Sequence, residues 1–324
     1  MASDGPAEPE RALNAAPLAS LACGLAVVTG GAGGIGLGLA VRAAELGLVP
    51  VILDLPSADF EAAEVALRAA GASEMLCLEC DASDREAVVA AAEESREMFP
   101  GRPVSLLCGN AGFAGSDGPQ TGGFGSVLDV GEAEWGRWHG VMVDGPIWLA
   151  QAWKDQIVAQ APARCAIVNT ASLAGLQPAG GTYGIVKHAC VAVTESLYAE
   201  FRARKQDHVS CHVLCPALTK TNVFGSSKDL LATLLNEKGM TTAFIADEAF
   251  KGVAAGRFYL WVDNPPGSGL SMNAEAALAD RHARVMAGNP PKLSGVSEAF
   301  ESELAGTAAA RMLEMMAEAA EAKL

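Results

Sequence analysis

The stretch Thr29-Gly30-Gly31-Ala32-Gly33-Gly34-Ile35-Gly36 constrains the fold more than any other part of this chain. It follows an apolar, strand-like run, Leu25–Thr29, and precedes a helical pattern from about Ile35 to Gly47. Glycines at such a junction permit a tight turn. The helix N-terminus beyond it offers unpaired N–H groups and partial positive charge to an anion. A glycine-rich turn alone is a weak signal. Set between a strand and a helix at the head of the chain, it predicts a pyrophosphate cradle built from Gly30, Gly34, Ile35 and Gly36.

Beyond the turn the chain keeps to one rhythm. Further strands are predicted at Val49–Asp54, Glu74–Cys80, Val104–Cys108, Ala166–Thr170, Val209–Leu214 and Arg257–Val262. Between them the pattern predicts helices at Ala58–Ala70, Asp84–Met98, Glu132–Gln160, Thr182–Arg204 and Asp247–Ala255, with a glycine-rich loop over Phe113–Val130. Strict alternation implies a parallel sheet with right-handed crossovers. The expected fold class is therefore α/β: a doubly wound, seven-stranded parallel sheet with helices on both faces. Three regions are expected: a flexible leader over 1–20, a single dinucleotide-binding catalytic domain over 21–263, and a partly helical C-terminal extension over 264–324. In the last, Val296, Phe300 and Leu304 recur at helical spacing.

Composition excludes several alternatives. The 324 residues are 50% hydrophobic, ample for a sheet covered on both faces, and the formal net charge of −15 argues against a nucleic-acid partner. No apolar stretch reaches membrane-spanning length, and acids in the first residues weigh against a secretory signal. The expected location is cytoplasmic, with organelle targeting left open. Eight cysteines follow no disulfide framework; Cys108, Cys165, Cys211 and Cys215 lie in apolar runs. Cys77-x-x-Cys80 lacks a second ligand pair, so no metal site is expected.

Asp54 ends the predicted second strand. A carboxylate there can accept both hydroxyls of an adenosine ribose and repels a 2′-phosphate. No Arg or Lys lies within Gly30–Gly36 or directly after Asp54. The expected cofactor is NAD rather than NADP.

Together these residues resemble the short-chain dehydrogenase/reductase family, over roughly Leu25 to Val262, and the resemblance implies a Rossmann-like fold. Thr29-Gly30-x-x-x-Gly34-x-Gly36 is similar to its cofactor turn. Asp81 resembles its adenine-contacting Asp, and Asn110-Ala111-Gly112 its Asn-Ala-Gly after the fourth strand. Tyr183-x-x-x-Lys187 resembles its catalytic pair and Ser172 its catalytic serine. Pro216-x-x-x-x-Thr221 is similar to the segment that contacts the nicotinamide carboxamide. The resemblance also implies a homodimer or homotetramer. One departure stands out: where family members carry an Asn that holds a relay water, this chain has Met142, whose thioether is a poor hydrogen-bonding group. Asp144, two residues on, would need a distorted helix to take that place.

The chemistry is also legible without the resemblance. Removing a hydride from a carbinol carbon requires removal of the hydroxyl proton, hence a base. Tyr183 and Lys187 stand at i and i+4 on one helical face. A unit charge at ~4 Å favours a phenolate by about 4 kcal/mol at an effective dielectric of ~20. Ser172 would hydrogen-bond the substrate oxygen. A pocket drawn from Phe113, Leu173, Gln177–Ala179 and Leu218–Phe224 is mostly apolar and has no Arg to hold a carboxylate. The expected substrate is an apolar or neutral secondary alcohol, or the matching ketone. Met142 motivates the rival reading, a nucleotide-binding sensor or scaffold with weak or lost catalysis. His188, His212 and the tryptophans at 135, 138, 148 and 153 are expected to be packing residues.

Overall fold

The computed structural model describes residues 14–21, 23–114, 127–176, 181–221, 238–265, 271 and 273–288. The strands are β1 (Leu25–Thr29), β2 (Val49–Asp54), β3 (Leu76–Glu79), β4 (Val104–Gly109), β5 (Cys165–Thr170), β6 (Val209–Pro216) and β7 (Tyr259–Val262). They form one seven-stranded sheet in the order β3-β2-β1-β4-β5-β6-β7. Every pairing is parallel. Strand order reverses between β1 and β4, and a crevice at the carboxyl ends of these strands is where ligands bind in open α/β sheets.

Helices α1 (Gly34–Glu45), α2 (Phe60–Ala69), α3 (Arg85–Met98), α4 (Glu132–His139), α5 (Gly145–Ala159), α6 (Gly181–Ala203), α7 (Thr242–Ala254) and α8 (Ala274–Met286) accompany the sheet. Strands β1, β4, β5 and β6 are buried along their whole length, as central strands covered on both faces must be. Successive side chains serve opposite layers. Val28 and Ile52 pack with Leu39, Ala43, Ile245 and Phe250 from α1 and α7. Val27 and Val51 pack with Val88, Leu149 and Trp153 from α3 and α5. Full burial of each Val, Leu, Ile or Phe contributes roughly 1.5–3 kcal/mol.

Helix starts follow local chemistry. Asp59 caps α2 through Ala62 N at 2.9 Å, and Asp84 caps α3 through Glu86 N at 2.9 Å. α7 begins more than a turn before the expected Asp247, because the Thr241 hydroxyl accepts from Phe244 N at 3.2 Å. No helix among the described residues is long and apolar enough to cross a membrane.

The helix expected over Glu132–Gln160 is divided. Between α4 and α5 the chain makes a π-helical turn, Gly140–Asp144, in which Gly145 N bonds back to Gly140 O. Two causes are visible. Pro146 at the start of α5 has no N–H for an i−4 bond to Met142. Gly140 and Gly145 also press on the loop after β3: a Cβ on Gly140 would stand 3.1 Å from Ser83 Cβ, and one on Gly145 3.1 Å from Ala82 O.

Of the expected leader, Asn14 is buried, and its amide pairs with both Cys211 N (3.0 Å) and Cys211 O (3.0 Å) in β6. Val296, Phe300 and Leu304 lie outside the described residues, as do Gln177–Ala179 and 222–224 of the expected pocket. Cys77 and Cys80 are free thiols pushed up to about 11, chiefly by burial.

Candidate active site

The glycine turn leaves β1 with Gly30 at φ 61° and Gly34 at φ 54°, a left-handed region that costs glycine little. Contact is as tight as the backbone allows. A Cβ on Gly36 would come within 2.0 Å of Gly30 O, and one on Gly30 within 2.9 Å of Ala111 Cα. By contrast, among the described residues nothing lies within 4 Å of a Cβ on Gly33, the residue that precedes α1. Among the described residues no side chain caps this helix and no acid occupies its first turn, which leaves the positive end of its dipole uncompensated. Such a cradle fits an anion of pyrophosphate size.

Side chains from neighbouring strands set the turn in place. Thr29 Oγ1 accepts from Asn110 N (3.0 Å) and Ala111 N (3.1 Å), and donates to Cys108 O (3.3 Å). The Asn110 amide donates to Thr29 O (3.1 Å) and Gly30 O (3.3 Å), so its side chain braces the turn. Asp54 Oδ2 accepts from Ala32 N at 2.9 Å and Oδ1 from Leu55 N at 2.8 Å. A carboxylate has roughly four acceptor positions, so capacity remains for ligand hydroxyls. Asp81 is exposed, and its Oδ1 accepts from Ser83 N (2.8 Å) and Ser83 Oγ (2.7 Å). Ile35 packs against the α1 side of the core. Thr221 lies against the turn: a Cβ on Gly34 would be 3.6 Å from its Cγ2. A cavity of about 640 Å³ beside α1 includes Gly34, Lys220 and Thr221 but none of Ser172, Tyr183 or Lys187.

At the end of β5 the chain turns sharply through a 3₁₀ segment, Leu173–Gly175, with Ser172 as its N-cap. Ser172 Oγ accepts from Ala174 N at 3.1 Å and donates to Pro216 O at 3.4 Å, joining the ends of β5 and β6. On α6, Lys187 is buried and Nζ donates to Thr170 O at 2.9 Å. The same Nζ lies 5.6 Å from the centre of the Tyr183 ring. An aromatic wall continues from there: Trp138 meets Tyr183 edge-on at 5.9 Å and Phe113 at 4.8 Å. Gly112 faces this group, since a Cβ there would be 3.4 Å from both Lys187 Nζ and Met142 Sδ. Ser172 follows β5, Gly112 follows β4 and Lys187 Nζ bonds Thr170 O, so all three stand at the carboxyl end of the sheet.

Two expectations need revision in detail. Leu173 is fully buried with Ala171, Cys190 and Val191, beneath the surface rather than along a crevice. The helix is distorted at Asp144, yet its carboxylate turns to His139 Nδ1 at 3.1 Å and not into the space beside Met142. Met142 is 1% exposed and packs with Trp138, Val143 and Val186. His212 is buried between Arg257 O (2.7 Å) and Ser210 Oγ (2.9 Å), and burial lowers it to about 4. Sequence reasoning placed Thr29 in the turn without a bracing role and did not single out Thr170; their oxygens fix Asn110 and Lys187. A strand-end hydroxyl beside a glycine turn was the available signal for the first; a backbone carbonyl leaves none for the second.

Comparison with known proteins is consistent with this geometry. Residues 24–230 match the model of the family described as short chain dehydrogenase. The chain is 28% identical over 221 residues to epidermal retinol dehydrogenase 2 of Mus musculus, covering 68% of each chain. It is 31% identical over 202 residues to galactitol 2-dehydrogenase (L-tagatose-forming) of Cereibacter sphaeroides, covering 61% of this chain and 72% of that one. Among solved structures, a short chain dehydrogenase/reductase from Burkholderia phymatum in complex with NAD superposes with a TM-score of 0.70 at 27% identity. That match covers 84% of this chain and 98% of the other. By its fold, its glycine turn and the span of that match, this chain belongs to the short chain dehydrogenase family.

Proposed function

We propose that this protein is an NAD-dependent oxidoreductase that interconverts a secondary alcohol and its ketone, with Tyr183 as general acid/base. The observation that carries the reading is that Ser172 caps the turn at the carboxyl end of β5 while Lys187, on the same helix as Tyr183 and 5.6 Å from its ring centre, bonds Thr170 O at that same end. NAD would supply the hydride acceptor, held by Gly30, Gly34, Ile35, Gly36, Asp54, Asp81, Asn110, Gly112, Pro216 and Thr221 together with Tyr183 and Lys187. The preference for NAD is supported by Asp54 and by the absence of a cation after it: the next residue, Leu55, is an exposed aliphatic.

Within the site each side chain has a physical task. The buried Lys187 ammonium, held by Thr170 O 5.6 Å from the centre of the Tyr183 ring, brings positive charge to this end of the site. Tyr183 takes the hydroxyl proton of the alcohol in one direction and returns it in the other. Ser172 Oγ, already oriented by Ala174 N and Pro216 O, stabilises charge on the substrate oxygen. The half-buried ring of Phe113, backed by Trp138, favours an apolar or neutral substrate. We take residues 21–263 as the catalytic domain of a cytoplasmic homodimer or homotetramer.

A panel of secondary alcohols and ketones, including a 3β-hydroxysteroid, galactitol and diacetyl, with retinol as a primary alcohol for contrast, followed by NADH absorbance with NADP in parallel, tests the reading. Tyr183→Phe is expected to abolish turnover while NAD affinity stays nearly unchanged. Equal turnover by wild type and variant refutes the assigned role. Buried Met142 favours one other reading, a nucleotide-binding sensor, which predicts NAD binding with no turnover of any panel member.

A further inference from the structure

Helix α8 lies beyond the last strand, yet one of its side chains reaches the turn after β5 and helix α6. Arg281 Nη1 donates to Leu176 O, the end of the 3₁₀ turn that Ser172 caps, and to His188 Nε2 at 2.9 Å on α6. The helix is fixed at its start: Asp263 Oδ2, just after β7, accepts from Ala274 N at 3.0 Å and from Ser271 Oγ at 3.2 Å. Proton inventory then settles the state of the imidazole. A guanidinium can only donate, so Nε2 must be the bare acceptor; Nδ1 carries the hydrogen and donates to Gly184 O at 2.8 Å. The two hydrogens of a single guanidinium nitrogen therefore tie the Ser172 turn to the Tyr183–Lys187 helix.

We propose that Arg281 is a positioning residue, which with neutral His188 clamps the turn carrying Ser172 against the helix carrying Tyr183 and Lys187. The inference rests on the assignment of those three residues above and adds a role for the segment after β7. Protonation of His188 places an N–H on Nε2, which can no longer accept from Arg281 and has the Ala174 carbonyl as its alternative partner, and opens the clamp. The groups facing the ring are the Gly184 carbonyl of α6, the Ala174 carbonyl of the turn and the Arg281 guanidinium of α8. Burial holds His188 below the ordinary imidazole value, so the clamp is closed at neutral pH.

Hydrogen exchange on the full-length protein reads the clamp without substrate. Gly175 N and Leu176 N bond to Ser172 O (2.9 Å) and Leu173 O (3.0 Å) within the turn. In Arg281→Met, which keeps an aliphatic stem, these two amides are expected to lose protection by about tenfold while β4 and β5 keep theirs. In wild type the same loss is expected as pH falls through the His188 titration. His188→Gln, whose amide oxygen accepts from Arg281 at any pH, is expected to keep protection flat across that range. In turnover of the panel alcohols, Arg281→Met is expected to lower kcat by about tenfold with KM for NAD little changed. Unchanged protection in Arg281→Met, or a pH response that persists in His188→Gln, overturns the clamp. Because exchange needs no catalysis, activity surviving in Tyr183→Phe would unseat the site assignment alone.

Discussion

Met142 Sδ and Lys187 Nζ converge on one point: each lies 3.4 Å from the position a Cβ on Gly112 would take. A polarisable thioether thus shares the space at Gly112 with the buried ammonium, whose hydrogen bond goes to Thr170 O. Proton exchange between Tyr183 and solvent has no side-chain acceptor at position 142.

Met142→Asn should therefore leave kcat similar or raise it, since an amide oxygen there can accept from Lys187. Placing an amide among Trp138, Val143 and Val186 costs about 1–3 kcal/mol if any of its groups stays unpaired. Steady-state kinetics beside thermal melting separates the two effects. A large fall in kcat in a variant that melts like wild type counts against this account.

Gly33 and Gly36 make a matched pair. Among the described residues a Cβ on Gly33 meets nothing within 4 Å, whereas one on Gly36 collides with the backbone at Gly30 O, 2.0 Å away. Gly36→Ala is expected to weaken NAD binding by tenfold or more, about 1.4 kcal/mol or above, as the turn is forced open. Gly33→Ala is expected to remain within a few-fold of wild type. Fluorescence titration with NADH compares them, and equal affinities would refute the cradle.

Asp54 serves the turn as well as any ribose. Asp54→Ala removes the acceptor for Ala32 N and the charge that repels a 2′-phosphate, so KM for NAD should rise by about tenfold or more. KM for NADP should rise less, or fall. A variant that keeps the wild-type ratio of the two would remove the basis for NAD preference.

His212 sets a pH limit on stability. Its folded value of about 4 lies below the ordinary value of 6.5, so between the two the unfolded chain binds the extra proton. The stabilisation is complete above about pH 6.5 and is lost as pH falls towards 4, by about 3 kcal/mol. Urea unfolding at pH 7 and pH 4.5 should show wild type losing about 2–3 kcal/mol more than His212→Asn. Parallel losses in both proteins would assign the acid sensitivity elsewhere.

Much of this was legible in the chain because the local signals were covalent in origin. Val49–Asp54 is a strand over the range read from sequence, bounded by Gly47 and by Pro56. Tyr183 and Lys187 share a helical face by spacing alone, and the glycine turn announces its own tightness. What escaped depended on distant partners. The break at Gly140–Asp144 is set partly by the loop at Ala82 and Ser83, far away in sequence, and apolar periodicity runs through it unmarked. Leu173 emerges at the carboxyl end of β5 and so reads as a pocket residue, but the 3₁₀ turn tucks it under. Arg281 and His188 are 93 positions apart, and nothing in either neighbourhood names the other.

The wide turn before α5 also fixes an angular phase. One surplus residue in a helix rotates everything downstream by roughly 100°. The inward aim of Leu149, Trp153 and Ile157 is thus dialled by Gly140–Asp144. Excising one residue there would yield a smoother rod whose aromatic and aliphatic row points sideways, away from the sheet it now covers.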